Sequence, residues 1–260
     1  MSALFDPDHP EVARVWQALL DQAKGTAQAP LEASGTVEQA MIDLYTPLLQ
    51  PAFAIAQMGQ SLDGHIATKS GASHYVTGPE SLVHLHRLRA LVDAVVVGWP
   101  TVEADNPQLT VRNVVGPNPQ RVVIDARGHL SGTEGVFTDA HPLALRLSAP
   151  DTRPLDGVET IAITPDADGR LGPSDILAAL RARGLSRVLI EGGGQVVSSF
   201  VAAGALDRLH VVIAPLIIGS GRVGLGLPGV ETLADALRPP ARQVAMGADV
   251  LFDLDLGAES

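Results

Sequence analysis

The chain has 260 residues, 46% of them hydrophobic, with no cysteine and a formal net charge of −11. This length and apolar content support one large domain or two small ones with a substantial core, and the lack of cysteine excludes disulfides, thiolate metal ligands and a cysteine nucleophile. The acidic balance without clustered lysine and arginine argues against a nucleic-acid surface and favours a small-molecule ligand.

The N-terminal region also bears on location. The first twenty residues contain acidic side chains and lack a basic region followed by a long apolar run, so no secretory signal is visible. No window reaches the roughly 18 uninterrupted apolar residues that a membrane helix needs. The sequence therefore predicts a cytoplasmic protein that does not bind membranes.

The first fifty residues carry two helical patterns. Apolar residues recur at helical spacing within residues 8–24 and again within residues 37–49. We predict an N-terminal helical extension, residues 1–50, before a main domain, residues 51–260. An amphipathic helix must bury its apolar side, so the extension is expected to pack on the sheet of the main domain or on a second subunit.

From residue 52 onward, short apolar runs alternate with helical patterns, which predicts a sheet with crossover helices. The last run alternates apolar and polar residues and indicates a half-exposed antiparallel strand, so the sheet is mixed. A segment with five glycines, residues 219–229, is expected to be a mobile loop. The predicted strands are 52–59, 93–98, 121–124, 143–147, 160–163, 188–190, 209–218, which Pro215 breaks, and 242–256. The predicted helices are 78–91, with Leu82, Leu85 and Leu88 to Val92 on its buried side, 174–183 and 195–203.

The stretch 187–203 is a strand, a turn of three glycines and the start of a helix. Glycine lets a backbone approach a ligand closely, and the first N–H groups of a helix are unpaired, so phosphate is the natural ligand of such a turn. Glu191 stands at the carboxyl end of the strand, where open α/β sheets place their ligands. This pattern predicts a cofactor phosphate at Gly193 to Val196, with Glu191 facing a substrate. The alternative is a sharp connection with no ligand.

Four further segments extend the pattern: Gln60-Ser-Leu-Asp-Gly-His-Ile-Ala, Ser70-Gly-Ala-Ser-His-Tyr-Val-Thr-Gly, His86-Arg-Leu-Arg-Ala, and Gly98-Trp-Pro-Thr-Val-Glu-Ala-Asp-Asn-Pro-Gln-Leu-Thr-Val-Arg112. Ile190-Glu-Gly-Gly-Gly and Ile213-Ala-Pro-Leu-Ile-Ile-Gly follow in the same order. Together they resemble the pyrimidine reductase of riboflavin biosynthesis, which in many bacteria is the C-terminal half of a bifunctional deaminase-reductase. The resemblance covers about residues 52 to 220.

The resemblance implies a dihydrofolate reductase-like fold, a three-layer α/β/α arrangement with a mixed, mostly parallel sheet and an antiparallel C-terminal strand. It implies NADPH-dependent reduction of the ribosyl group of 5-amino-6-(5-phosphoribosylamino)uracil to a ribityl group, in a homodimer. The zinc site of the deaminase needs cysteines that this chain lacks, so the chain is expected to be a stand-alone reductase without a metal.

The resemblance also implies roles for individual residues. Glu191 and Asp105 are the candidate catalytic residues. The candidate cofactor contacts are Gly59, Tyr75, Thr101, Asp105, Gly193, Gly194, Gln195, Val196, Val197, Ser198 and Ser199. The candidate substrate contacts are Ser73, Arg89, Leu109, Arg112 and Glu191.

Physical chemistry supports part of this assignment. Arg89 and Arg112 carry planar guanidinium groups that suit a phosphate monoester, although outside the motif each arginine is better interpreted as a solvated surface charge. Asp63-Gly64 is interpreted as a turn that places Ser61 beside the ligand cleft.

Two positions depart from the family pattern. Gln57 stands where the family often has a lysine on the first strand, and glutamine cannot donate a proton as lysine does. Arg127 follows Asp125 and Ala126, where a serine commonly follows the aspartate. Arg127 is either a ligand of the NADPH 2′-phosphate or an exposed loop arginine.

Two alternatives therefore stay open. The first is a related reductase that acts on a pterin such as dihydrofolate or on the diamino pyrimidine that has not been deaminated. Gln57 favours this reading, whereas the two arginines favour a phosphorylated substrate. The second is a nucleotide-binding protein that has lost turnover, against which the retained Glu191, Asp105 and glycine turn argue.

Overall fold

The computed structural model describes residues 3–27, 29–73, 76–138 and 142–257. The helices are α1 (Pro10–Ala23), α2 (Thr36–Tyr45), α3 (Pro79–Leu91), α4 (Trp99–Asp105), α5 (Gly135–Thr138), α6 (Pro173–Arg181) and α7 (Gly194–Ala202), with short 3-10 helices at Ala3–Phe5 and Thr46–Leu49. The strands are β1 (Phe53–Ser61), β2 (His65–Thr68), β3 (Ala94–Gly98), β4 (Gln120–Ile124), β5 (Leu145–Ser148), β6 (Glu159–Ala162), β7 (Arg187–Ile190), β8 (Arg208–Ala214), β9 (Gly221–Val223), β10 (Ala241–Met246) and β11 (Asp249–Asp255). Among the described residues, no helix is long and apolar enough to cross a membrane.

Nine strands form the central sheet, in the order β10-β11-β8-β1-β7-β3-β4-β5-β6. The strands from β8 to β6 in that order run parallel, whereas β11 is antiparallel to both β8 and β10. The mixed, mostly parallel sheet with an antiparallel C-terminal strand is therefore confirmed.

Helices cover both faces of this sheet and complete the three layers. On one face, α1, α2 and α3 bury residues such as Leu19 and Leu88 in the same cluster as Ile55 of β1. On the other face, α6 and α7 bury Ile176 and Phe200 against the alternate residues of the same strands. Successive strand residues point to opposite faces, so one apolar strand supplies both clusters.

The N-terminal extension packs on the sheet. Val12, Leu44 and Leu48 from its helices are at most 1% exposed and belong to the cluster that contains strand residues Ile55 and Val95. Of the two locations left open by the sequence, the sheet of the same chain is therefore the one observed. The extension and the main domain share one hydrophobic core.

Two predictions of local structure are wrong. Residues 242–256 are not one strand but the end of β10, a turn at Gly247 with φ +65, and β11, because the glycine turn folds the alternating pattern into a hairpin. The break expected at Pro215 is observed: β8 ends at Ala214, since Pro215 has no N–H to donate to the sheet. Leu82 is 43% exposed rather than buried.

Polar residues are buried around much of α3, which explains the error at Leu82. His84, His86, Arg87 and Arg89 are all at most 6% exposed, and the first and third of them point away from the other two. Periodicity of apolar residues therefore gives no guide to the orientation of this helix.

Candidate active site

The candidate site lies where β7 ends between its parallel neighbours β1 and β3. The register pairs Ala56 of β1 with Ile190 of β7, so the next residues, Gln57 and Glu191, are neighbours at the same edge. Glu191 is fixed there by its backbone N–H, which donates to the Val96 carbonyl of β3 at 2.9 Å. Carboxyl ends of parallel strands are the usual ligand edge of such sheets, as the sequence pattern indicated.

Arg89 of α3 forms a bidentate ion pair with Glu191. Its Nε and Nη2 atoms each lie 2.7 Å from a carboxylate oxygen, and both side chains are 7% exposed. Its remaining Nη1 donates to the Thr110 carbonyl at 3.0 Å. All three nitrogens of Arg89 thus donate to the protein, and two of them hold Glu191.

Arg112 is the exposed member of the predicted arginine pair. Its Nη1 donates to the side chains of Gln108 at 3.1 Å and Thr110 at 2.6 Å. Within the described ranges, its Nε and Nη2 have no hydrogen-bond partner. Partial burial and the nearby Arg89 charge lower the pKa of Arg112, while Glu191 opposes that shift. The three charges of Arg89, Glu191 and Arg112 therefore interact, and Arg112 is the cation that is available to an anion.

The segment 106–112 that carries Arg112 has an unusual backbone. Asn106 and Leu109 have φ values of +41 and +56, the two positive φ angles among the described non-glycine residues. A left-handed conformation is costly for leucine, and it persists only where surrounding contacts fix it. Leu109 is 2% exposed, so its side chain is held in the core while the chain reverses around it.

The contacts that fix this segment come from three separate elements: α5, β4 and α3. The Asn106 side chain accepts the Gly135 N–H at 2.8 Å, and the Gln108 carbonyl accepts from buried Arg121 at 3.4 Å. From α3, Arg89 donates to the Thr110 carbonyl, and His86 accepts the backbone N–H of Arg112. A strained segment anchored at alternate residues is typical of a preorganised binding site.

His86 is a site residue that the sequence reasoning missed. Its Nδ1 accepts the backbone N–H of Arg112 at 2.8 Å. Burial, together with the charges of Arg89 and Arg112, lowers the pKa of His86 to about 4, so the ring is neutral at neutral pH and keeps its acceptor. The spacing of His86 and Arg89, three residues apart on one helix, places both on one face and was the available signal.

The three-glycine turn has the predicted strand-turn-helix form. Gly192 has φ +104, which only glycine adopts readily, whereas Gly193 at φ −60 is the N-cap of α7. The Gly193 N–H donates to the Thr101 hydroxyl of α4 at 3.2 Å. The N–H groups of Gly194 and Gln195 follow in the first helical turn, where a helix supplies no acceptor.

The segment expected to be a mobile loop, residues 219–229, packs against this turn. Its strand β9 pairs with β2, the Gly224 N–H donates to the Gly64 carbonyl at 2.9 Å, and the Gly226 N–H donates to the Ser198 hydroxyl at 2.8 Å. A Cβ on Gly194 would collide with the Gly224 carbonyl oxygen. The segment therefore covers the start of α7 instead of moving freely, and a ligand at the turn must share this edge with it.

Four other predicted cofactor and substrate residues are Gly59, Asp105, Ser73 and Tyr75. Gly59 of β1 lies against Thr77, where an added Cβ would be 2.5 Å from a methyl carbon. Asp105 is exposed at the end of α4, and Ser73 is half-buried. Tyr75 lies outside the described residues.

Three predicted cofactor residues of α7 use their side chains elsewhere. Val197 is buried in the core, Ser198 accepts the Gly226 N–H, and Ser199 donates to the Val196 carbonyl at 2.7 Å. Any contact of this stretch with a phosphate therefore comes from the backbone at its first turn. Asp63, in the predicted turn, accepts the N–H groups of Ile218 and Gly219 at 3.1 and 2.7 Å and ties that turn to the end of β8.

Arg127 lies beyond the end of β4 and is exposed. Its Nη2 donates to the Asp168 carbonyl at 2.6 Å, which fixes the side chain against the loop at Gly169. The group is thus an ordered surface cation near the ligand edge, consistent with either of its two readings.

Comparison with known proteins gives a consistent result. The sequence model of the RibD C-terminal domain matches residues 52–246. A 2,5-diamino-6-ribosylamino-4(3H)-pyrimidinone 5′-phosphate reductase from Methanothermobacter thermautotrophicus is 32% identical over 209 residues, which cover 77% of this chain and 96% of that protein. The riboflavin biosynthesis protein RibD of Escherichia coli is 27% identical over 274 aligned positions, covering 98% of this chain and 73% of that protein.

A solved structure shares the fold. The diaminohydroxyphosphoribosylaminopyrimidine deaminase/5-amino-6-(5-phosphoribosylamino)uracil reductase from Thermotoga maritima superimposes with a TM-score of 0.66 at 27% identity. The match covers 85% of this chain and 62% of that chain, so this chain spans less than two thirds of the bifunctional protein.

Proposed function

Because the chain belongs to the RibD C-terminal domain family, we propose that it is a reductase of riboflavin biosynthesis that uses NADPH. Its substrate is 5-amino-6-(5-phosphoribosylamino)uracil, whose ribosyl group becomes ribityl. The observation that carries this proposal is the buried Arg89–Glu191 pair beside the exposed Arg112, at the strand end that opens into the glycine turn. We further propose that the protein acts in the cytoplasm.

The reaction requires a hydride donor, a proton and alignment of the donor with C1′ of the substrate. The sugar opens to an imine, and a hydride added to C1′ with a proton added to the nitrogen turns the C=N double bond into a single bond. Bound NADPH supplies the hydride and is oxidised to NADP⁺. The protein must hold the reacting carbon in line and exclude water from it.

The glycine turn fits the phosphates of such a cofactor. A Cβ on Gly193 would have its nearest neighbour, the Thr101 hydroxyl, 3.7 Å away, so space remains in front of this residue. The N–H groups of Gly194 and Gln195 face the region where anions bind at helix N-termini. Arg127 is proposed to recognise the 2′-phosphate, and Thr101 and Asp105 to line the same cleft.

Glu191 and Arg112 divide the substrate between them. Arg89 fixes both carboxylate oxygens of Glu191, and we propose that Glu191 orients the ribose hydroxyls. Its neighbour Gln57 is 6% exposed and makes no side-chain hydrogen bond among the described residues. Arg112 binds the 5′-phosphate with the donors that the protein leaves open. This differs from the reading in which Arg89 also clamps the phosphate.

A second candidate substrate is the diamino pyrimidinone that has not been deaminated. It is favoured by the similarity to the archaeal reductase named for that compound and by Gln57, which cannot donate a proton as a family lysine would. The phosphoribosyl group and the reduced bond are the same in both compounds. The site residues proposed for sugar and phosphate therefore keep their roles.

We also propose a homodimer. The described residues 216–237 expose a run of large apolar side chains that a second copy would bury: Ile217, Val223, Val230, Leu233 and Leu237, each more than 50% exposed. Exposed apolar patches of this kind mark interaction surfaces. Light scattering after gel filtration measures the mass directly.

The test of the function is oxidation of NADPH in the presence of each pyrimidine. Mass spectrometry of the product should show the gain of two hydrogen atoms, and the ratio of kcat/KM values identifies the substrate. Binding of NADPH without turnover on either compound, or on dihydrofolate, would instead indicate a nucleotide-binding protein. Turnover on dihydrofolate alone would indicate a pterin reductase.

A further inference from the structure

We infer that Trp16 of the N-terminal extension is a positioning residue for the substrate site, because it holds the loop that follows Arg112. This inference rests on the proposed function, in which Arg112 binds the 5′-phosphate. Trp16 lies outside the part of the chain that the RibD C-terminal domain model matches, residues 52–246. The role therefore belongs to the extension of this chain.

The contact is a hydrogen bond between distant parts of the sequence. Trp16 Nε1 donates to the Val115 carbonyl at 2.8 Å, and Trp16 is 6% exposed. The Val115 side chain is 74% exposed, so it is the carbonyl, not the side chain, that anchors this residue. A buried indole N–H requires such an acceptor, which fixes both partners.

The next residue of the loop is also held by the extension and α3. A Cβ on Gly116 would be 2.5 Å from the Ala90 Cβ and 3.7 Å from Leu20 of α1, so only glycine allows this close approach. Two successive residues, Val115 and Gly116, therefore rest on the same surface. That surface consists of α1 and the end of α3.

Trp16 is itself fixed from two sides. The guanidinium carbon of Arg87 lies 5.7 Å from the centre of the indole ring, and the Tyr45 ring meets it edge-on at 5.9 Å. Arg87 is 1% exposed and donates to the Leu4 carbonyl at 2.7 Å. Arg87 is on α3 between His86 and Arg89. Its contact with Trp16 therefore fixes the indole ring relative to the helix that also contacts Glu191 and Arg112.

The loop of residues 111–118 links the Trp16 contact to Arg112. The Val111 N–H donates to the Asn118 side chain at 2.8 Å, which closes residues 111–118 into a loop with Arg112 near one end. Val115 is at the middle of that loop, three residues beyond Arg112. Without the Trp16 donor the middle of the loop loses its anchor, so Arg112 gains freedom that phosphate binding must then remove.

The test is the Trp16→Phe variant, which removes the N–H donor and keeps an aromatic ring in the core. We expect KM for the phosphoribosyl pyrimidine to rise about three- to tenfold, the factor that one neutral hydrogen bond represents. The dissociation constant of NADPH and kcat should stay within about twofold of wild type. If Trp16→Phe does not fold, 3-benzothienylalanine at position 16 keeps the bicyclic shape and lacks only the donor.

The matched control is Tyr45→Phe. It keeps the ring that meets Trp16 edge-on and removes only the hydroxyl, whose buried hydrogen bond of 2.8 Å is to His84 and not to the loop. We expect it to lower the melting temperature like Trp16→Phe and to leave KM unchanged. Equal KM values for the two variants would overturn the inference, because the effect would then be general loss of stability.

A second comparison uses Arg112→Ala. If Trp16 acts by positioning Arg112, adding Trp16→Phe to Arg112→Ala should change KM by less than about twofold, whereas the full effect in that background would overturn the inference. If the wild-type protein oxidises NADPH normally and Trp16→Phe leaves KM unaltered, only the role of Trp16 is refuted. Wild-type protein with no turnover on any pyrimidine refutes the proposed function, and this inference with it.

Discussion

The Arg89–Glu191 ion pair gives the sharpest prediction. In Arg89→Met, Glu191 remains 7% exposed with no cation in contact, and the Thr110 carbonyl loses its donor. In the double variant Arg89→Met with Glu191→Leu, neither buried charge is left. Comparison of the two separates the cost of an unpaired carboxylate from the loss of the pair itself.

The magnitude follows from the geometry. Two charged hydrogen bonds of 2.7 Å join side chains that are almost completely buried, and breaking such a pair by removing one partner costs about 3 to 5 kcal/mol of unfolding free energy. The double variant replaces the pair by apolar groups and should recover to within about 2 kcal/mol of wild type. Urea denaturation followed by circular dichroism measures both values.

Activity should not recover with stability. Because Glu191 is the group that we propose contacts the ribose, we expect kcat to fall at least about tenfold in Arg89→Met and further in the double variant, with the NADPH dissociation constant nearly unchanged. The control is Arg208→Met, which removes one cation from buried Asp253 on β11 and should lower stability but not kcat. The reasoning is refuted if Arg89→Met unfolds at the wild-type midpoint, or if it retains full kcat.

Further predictions concern the anion sites and pH. Arg112→Ala should lower kcat/KM for the phosphorylated pyrimidine about ten- to hundredfold and leave the dephosphorylated compound unaffected, and equal losses on both would show that Arg112 only supports the loop. Gly193→Val should fold normally, because the nearest atom to a Cβ at this position is 3.7 Å away and φ is −60. It should weaken NADPH binding, which calorimetry measures. Unchanged affinity would show that the phosphate does not bind at this turn. Arg127→Ala should reduce affinity for NADPH about tenfold or more and that for NADH little, whereas parallel changes in the two dissociation constants would make Arg127 a surface charge. The pKa of His86 is about 4, below that of an unfolded histidine, so the unfolded chain binds an extra proton between about pH 6.5 and 4. The urea midpoint should therefore fall as pH decreases through this range. A midpoint that does not change with pH would show that His86 is not buried in its neutral form.

Much of the site was visible in the sequence because its elements are local patterns. The strand, the glycines and the helix of residues 187–203 are contiguous, and each has a backbone preference that does not depend on distant residues. Arg112 was identified from its motif, and it is the exposed arginine at the edge. The alternating C-terminal pattern correctly indicated an antiparallel strand, but it could not show the hairpin, because two short strands joined at Gly247 have the same alternation as one long strand.

The sequence by itself determined the mixed α/β class and the glycine turn, since hydrophobic periodicity and turn residues encode them over a few neighbouring positions. Only the tertiary structure decided that Arg89 holds Glu191, 102 residues away, and that Trp16 holds Val115, 99 residues away. A guanidinium in a sequence suits a phosphate and a carboxylate equally well. Which of them it binds is fixed by burial and register, because a carboxylate and an arginine brought together out of water must pair with each other before either can serve a ligand.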